Sequence, residues 1–195
     1  MPSQYNPADN IKDAIGSKGA PYSIDNALKN VNPNHSYSYS EFSENCQRCV
    51  VAYELRRRGY NVTALATYEG DKLPLADMGG HGNGKWMGAF RGAKNEKVGG
   101  RTSQKVQENL ENKMKGYGNG SRAVVRIPGH VFNAENVNGR IKYVDAQTGT
   151  KYTSKNVFGR LSSSELKGVR IVRTDNLKLS YRVKDAVKVV ERKKR

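Results

Sequence analysis

Cysteine is scarce in this chain of 195 residues, which has two, along with one tryptophan and three histidines. Two thiols cannot build the framework of a disulfide-rich domain; a Cys-x-x-Cys pair in a chain of this size points instead to catalysis, redox work or metal. Acidic residues are also few, 18 Asp and Glu against 34 Lys and Arg, for a formal charge of +16. Such a balance favours contact with nucleic acid, an anionic membrane or an acidic protein, without choosing among them. No apolar run approaches the length that crosses a bilayer. The opening "MPSQYNPADNIKDAIGSKGA" lacks a basic start followed by an apolar stretch, so no secretory signal is expected. Internal repeats are absent from the sequence. The length suits one domain with ragged ends, and the expected division is a flexible arm over 1–20, a folded domain over 21–183 and a basic tail over 184–195.

Helical spacing comes first along the chain. "SIDNALKNV" predicts a short helix capped by Ser23, with Ile24, Leu28 and Val31 on one face and "NPN" as its stop. Asn45 is a good N-cap for a second helix over Cys46–Arg58, apolar over much of its girth and ended by Gly59. "YNVTALATY" reads as a strand. Residues 79–100 are glycine-rich and read as loop, and "TSQKVQENLENKMKGYG" reads as a surface helix with Val106, Leu110 and Met114 inward and Gly116 as its stop. The period then changes to two in "SRAVVRI", "HVFNAENV", "RIKYVDAQ", "GVRIVRT" and "LKLSYRV", which read as strands. Helices followed by antiparallel strands predict an α+β fold.

The two cysteines stand at the front of the second helix, where four readings compete. Both can be small buried apolar residues. A redox pair wants a buried strand immediately before the helix, whereas the preceding segment is polar and serine-rich. Structural zinc wants two more ligands, and His35 and His81 are poorly spaced for it. A nucleophilic thiol gains from the helix dipole and the unpaired N–H groups of the first turn, and it demands a histidine and an orienting polar group elsewhere.

"PGHVFNAENVNGRIKYVDAQTG" supplies both as a hairpin, with His130 at the start of one strand and Asp145 at the end of the next. A four-residue loop over 136–139 sets His130 opposite Asp145; a two-residue turn at Asn138-Gly139 sets His130 opposite Gln147 and Asp145 opposite Phe132. Either register brings Asp145 within reach of His130.

"NCQRCVVAYELRRRGYNVTAL" followed by "GHVFNAENVNGRIKYVDAQTG" resembles the papain-fold toxins of bacterial polymorphic toxin and phage-associated proteins, described as glutamine deamidases. "NPN" upstream and "VRIVRTDNL" downstream extend the resemblance over roughly 22–180. It implies a papain-like fold in which a nucleophile-bearing helix packs on an antiparallel sheet, and an effector that deamidates a glutamine of a protein target. Carried over by position, Cys46 is the nucleophile, His130 the general base and Asp145 its orienting partner, with Asn45 and Gln147 close by. Cys49 is the alternative nucleophile: Asn45 as cap favours Cys46, while comparison with "CGSCW" of plant papains favours the second cysteine. Papains carry an oxyanion glutamine six residues ahead of the nucleophile, and Ser40 stands there, leaving that donor unassigned. The resemblance also implies a cognate immunity protein and action in a reducing compartment, the cytoplasm of a target cell, or carriage in a phage particle. The chemistry calls for no metal or organic cofactor.

Protease and transglutaminase activities use the same three residue types, so deamidation rests on the resemblance. The alternative is a non-enzymatic basic accessory protein, for instance one held against nucleic acid in a phage particle. "GGHGNGKW" fits Gly-x4-Gly-Lys, but Trp86 stands where a phosphate loop needs Ser or Thr, so the segment reads as a loop bordering a substrate cleft, with Trp86 and Phe90 on its rim.

Overall fold

The computed structural model describes residues 7–38, 40–67 and 84–191. In chain order these form α1 (Pro7–Ile15), α2 (Ile24–Val31), α3 (Ser40–Ser43), α4 (Cys46–Arg57), β1 (Val62–Ala64), a 3-10 turn at Lys85–Ala89, β2 (Glu96–Lys97), α5 (Ser103–Tyr117), β3 (Arg122–Ile127), β4 (His130–Val137), β5 (Arg140–Asp145), β6 (Thr150–Tyr152), α6 (Ser154–Phe158), α7 (Ser163–Lys167), β7 (Arg170–Arg173), a second 3-10 turn at Tyr181–Asp185 and β8 (Val187–Val189). Among the described residues, six strands make an antiparallel sheet in the order β2-β7-β3-β4-β5-β6, and β1 pairs separately with β8. The expected α+β class is the observed one.

Strand alternation divides the sheet into two buried faces. Val124, Val131, Val144 and Val172 point into one core with Cys46, Cys49, Val50 and Tyr53 of α4. Their neighbours Ala123, Val125, Phe132 and Ile171 point into a second core with Val106, Leu110 and Met114 of α5, Phe158 of α6 and Leu166 of α7. The sheet is therefore covered on both sides, and its central strands bury consecutive residues and not alternate ones, as β4 does from Val131 to Asn136. Burying each large apolar side chain of α5 contributes roughly 1.5–3 kcal/mol, which explains why three residues at helical spacing hold so polar a helix in place.

α4 is more completely buried than its apolar pattern predicts, because its charges go inside too. Glu54 is wholly buried and accepts from Arg58 Nε at 2.7 Å and Arg122 Nε at 2.8 Å. Glu135 on β4 accepts from Tyr53 Oη at 2.7 Å and Arg57 Nε at 2.6 Å. A buried carboxylate is tolerated only when paired and hydrogen-bonded, so these two fix the depth and rotation of α4 against the sheet. Gly59 ends the helix at φ +103, where a Cβ would lie 2.1 Å from the carbonyl oxygen of Gly19.

Several expectations are revised. Residues 7–15 of the expected arm are helical, with Ile15 in the α4-facing core, and the tail contributes β8, whose Val187 is buried. Both segments looked disposable because each shows few apolar residues; together they cover one flank. "LKLSYRV" is not a strand: only Leu179 forms a bridge, to Phe90, and Tyr181–Asp185 turns as a 3-10 helix. α5 runs through Gly116 to a cap at Gly118. Trp86 and Phe90, expected on a loop rim, are 1% and 2% exposed, because the 3-10 turn carrying Trp86 packs against α4. His81 and the basic residues 192–195 lie outside the described residues. No helix among the described residues is long and apolar enough to cross a membrane.

Candidate active site

α4 delivers Cys46 at its first position, and the β4–β5 hairpin delivers the histidine and aspartate. The hairpin turns on two residues, Asn138 and Gly139, both with positive φ, as a tight turn between right-twisted strands requires. Asn133 pairs with Val144, so the register is the one that sets Phe132 and Asp145 across from each other. His130 Nε2 lies 2.8 Å from Asp145 Oδ2. Cys46 interacts with the same imidazole, being one of the groups that raise its pKa. Cys46, His130 and Asp145 therefore meet at one end of the sheet.

Each member is held from behind. Asp145 Oδ2 also accepts from Tyr152 Oη on β6, and Oδ1 accepts from the Gln147 backbone N–H at 2.9 Å. Phe132 stacks on the His130 ring at 6.3 Å and meets the Tyr152 ring edge-on at 6.0 Å, bracing both. Burial works against charge on His130, but its bonds to Asp145 and Cys46 outweigh that and push its pKa up to about 10. Burial likewise opposes the Asp145 carboxylate, and hydrogen bonds from His130, Tyr152 and the Gln147 N–H reverse the effect, holding its carboxyl below the usual range. The Tyr152 hydroxyl is pushed up to about 12 by burial and by its bond to Asp145.

Cys49 has different surroundings. Its thiol donates to Asn45 Oδ1 at 3.3 Å, and burial, reinforced by Cys46 and Asp145, pushes its pKa well up. Asn45 itself is not the side-chain cap that its position predicts. Its amide donates to Leu65 O at 3.0 Å and Asn32 Oδ1 at 3.1 Å, and its carbonyl accepts from Asn32 Nδ2 at 3.2 Å. Asn32 Nδ2 also donates to Gln147 O at 2.9 Å and Phe42 O at 2.8 Å. One buried amide pair thus ties the front of α4 to the loop after Asp145. Sequence reasoning read Asn32 only as a helix stop and missed Tyr152, whose part depends on β5–β6 pairing. Among the described residues no three His, Cys, Asp or Glu side chains gather as a metal site, and His35 meets Tyr37 edge-on, away from this cluster.

The family model described as papain fold toxin 1, glutamine deamidase, matches residues 44–150, more than half of the chain. The chain belongs to this family. The matched span of this papain-fold toxin chain begins just before α4 and closes at β6, so it contains Cys46, Cys49, His130, Asp145 and Gln147 but stops short of Tyr152 and of Asn32. It is narrower than the resemblance read over 22–180. Comparison with curated proteins and with solved structures gave no match. Membership accounts for the architecture, a papain-like α+β fold with α4 laid on an antiparallel sheet, and for an overall activity of the glutamine deamidase type.

Proposed function

We propose that this papain-fold toxin deamidates a glutamine side chain of a protein target, with Cys46 as nucleophile, His130 as general acid and base, and Asp145 as the group that orients His130. One observation carries the reading: His130 Nε2 lies 2.8 Å from Asp145 Oδ2 while Cys46 acts on the same imidazole. A protonated imidazole beside sulfur is the partner that stabilises a thiolate, and the dipole of α4 adds to it. Because the Asn45 side chain bonds elsewhere, the front of α4 carries no side-chain cap, and its dipole favours a developing oxyanion.

In the reaction, the Cys46 thiolate attacks the carboxamide carbon, a C–S bond forms, and the C=O electron pair moves to oxygen. As the oxyanion collapses, the C–N bond breaks and the nitrogen leaves as ammonia with the proton of His130. Neutral His130 then takes a proton from water as its oxygen attacks the thioester; the C–S bond breaks, glutamate departs and the thiolate–imidazolium pair is restored.

Expression in a susceptible cell tests this. Cys46→Ala and His130→Ala should each abolish harm while the protein stays folded, and one target glutamine should gain about one dalton, as hydrolysis of a thioester requires. Cleaved target chains would mark a protease, and amine cross-links a transglutaminase. Harm that survives Cys46→Ala would remove Cys46 from the chemistry.

A further inference from the structure

Two buried hydrogen-bond donors beside Cys46 have no partner. Gln47 follows Cys46 in the first turn of α4 and is 2% exposed; Trp86, on the 3-10 turn packed over that helix, is 1% exposed. Gln47 Nε2 and Trp86 Nε1 are both buried without a hydrogen-bond partner. The orientation of the Gln47 amide is set by its other end, since the backbone N–H of Trp86 donates to Oε1 at 3.3 Å. A donor demands the oxygen there, so Nε2 is the end left over. Leaving a buried donor unsatisfied is costly, and a native structure that keeps two in one place needs a reason.

Gly84 packs directly against the indole. A Cβ on Gly84 would stand 2.6 Å from Trp86 Nε1 and 3.3 Å from Gln47 Oε1. Gly84 has φ −57, which any residue adopts, so glycine is not there for its backbone freedom. Its lack of a side chain is what lets the indole lie this close to the chain. Cys46 is as fully shielded as the two donors, and Gln47 is its chain neighbour in α4.

We propose that Gln47 Nε2 and Trp86 Nε1 are substrate-binding donors for the carbonyl oxygen of the carboxamide that Cys46 attacks, filling the role for which the position of Ser40 offers no glutamine. The inference rests on Cys46 as nucleophile. The two N–H groups hold the oxygen while the N-terminal dipole of α4 favours the charge that develops on it.

The test compares two thiol reagents on the whole protein: iodoacetamide, which carries a primary carboxamide, and methyl methanethiosulfonate, which carries none. Rates at Cys46 are read by peptide mass spectrometry, and the ratio of the two is compared between variants. Gln47→Glu keeps an acceptor for the Trp86 N–H and removes both amide donors; Trp86→Phe removes only the indole donor. Each should lower the iodoacetamide-to-methanethiosulfonate ratio about fivefold, the size of one neutral hydrogen bond, and Gly84→Ala should lower it by displacing the indole that the added Cβ would meet at 2.6 Å. Taking the ratio cancels a change in thiol ionisation or in general access. An unchanged ratio in Gln47→Glu and Trp86→Phe overturns the proposal, as does failure of both reagents to reach Cys46. His130→Ala separates the underlying reading: if it leaves both absolute rates unaltered, Cys46 is not activated by His130, whatever the ratio shows.

Discussion

Cys46 and Cys49 stand three residues apart on α4, yet one acts on the His130 imidazole and the other donates to Asn45 Oδ1 at 3.3 Å. The same helix thus presents one thiol to an imidazole held by a carboxylate and the other to a neutral amide in the core. Their chemistry should differ accordingly.

Alkylation at neutral pH should modify Cys46 first. A thiolate needs a cationic or dipolar partner, and the burial of Cys49 raises its pKa. In Cys49→Ala the rate at Cys46 should persist, whereas His130→Ala should slow Cys46 by about tenfold or more, as expected when the imidazole that serves the thiol is lost. Peptide mass spectrometry over time resolves the two sites; equal rates in the wild type would contradict the assignment.

Stability should depend on pH through His130 with a definite sign. Its folded pKa, about 10, lies above the ordinary value of 6.5. The stabilisation from binding that proton is fully present below the ordinary value, declines as pH rises, and is gone once pH has passed the folded value. The stability difference between wild type and His130→Ala, measured by urea unfolding, should therefore be flat on the acid side of 6.5 and shrink toward 10. Asp145 acts at the other end: its carboxyl is lowered from 3.8, so its contribution is present above that value and disappears as pH falls through the folded one.

Tyr152→Phe should weaken the support of Asp145 while leaving the packing on Phe132 intact. One hydrogen bond to a carboxylate contributes about 1.5–3 kcal/mol. Stability should fall by up to that amount, and the NMR titration of His130 should shift, because its partner carboxylate is less firmly oriented. An unmoved titration would mean that Tyr152 serves packing alone.

Asn45 offers a test of cap against cross-link. Serine is as good an N-cap as asparagine, so Asn45→Ser would cost almost nothing if capping were its role. The bonds to Leu65 and Asn32 predict a loss of about 1–3 kcal/mol instead, from buried groups left unsatisfied. Asn32→Ala should show a loss of similar size, since it strands Gln147 O and Phe42 O. Chemical denaturation with an unchanged m-value reads both.

Local pattern was enough to announce α4, α5, the β3–β5 strands and the two-residue turn at Asn138-Gly139, since each follows from spacing and turn chemistry within a few residues. It was enough, too, to bring His130 and Asp145 together, because a hairpin with either turn brings its histidine near its aspartate, and to set both thiols at the front of α4 as candidates. Other features depended on partners distant in sequence. Val187–Val189 becomes a strand only because Val62–Ala64 lies beside it, and Glu54 is buried only because Arg122 comes from β3 to meet it. The choice between the thiols is of the same kind. Both cysteines are small residues at the front of one helix, and nothing within "NCQRC" separates them. The rotation of α4 is tied to buried ion pairs with distant strands, and that rotation turns one sulfur to the imidazole and the other to an amide.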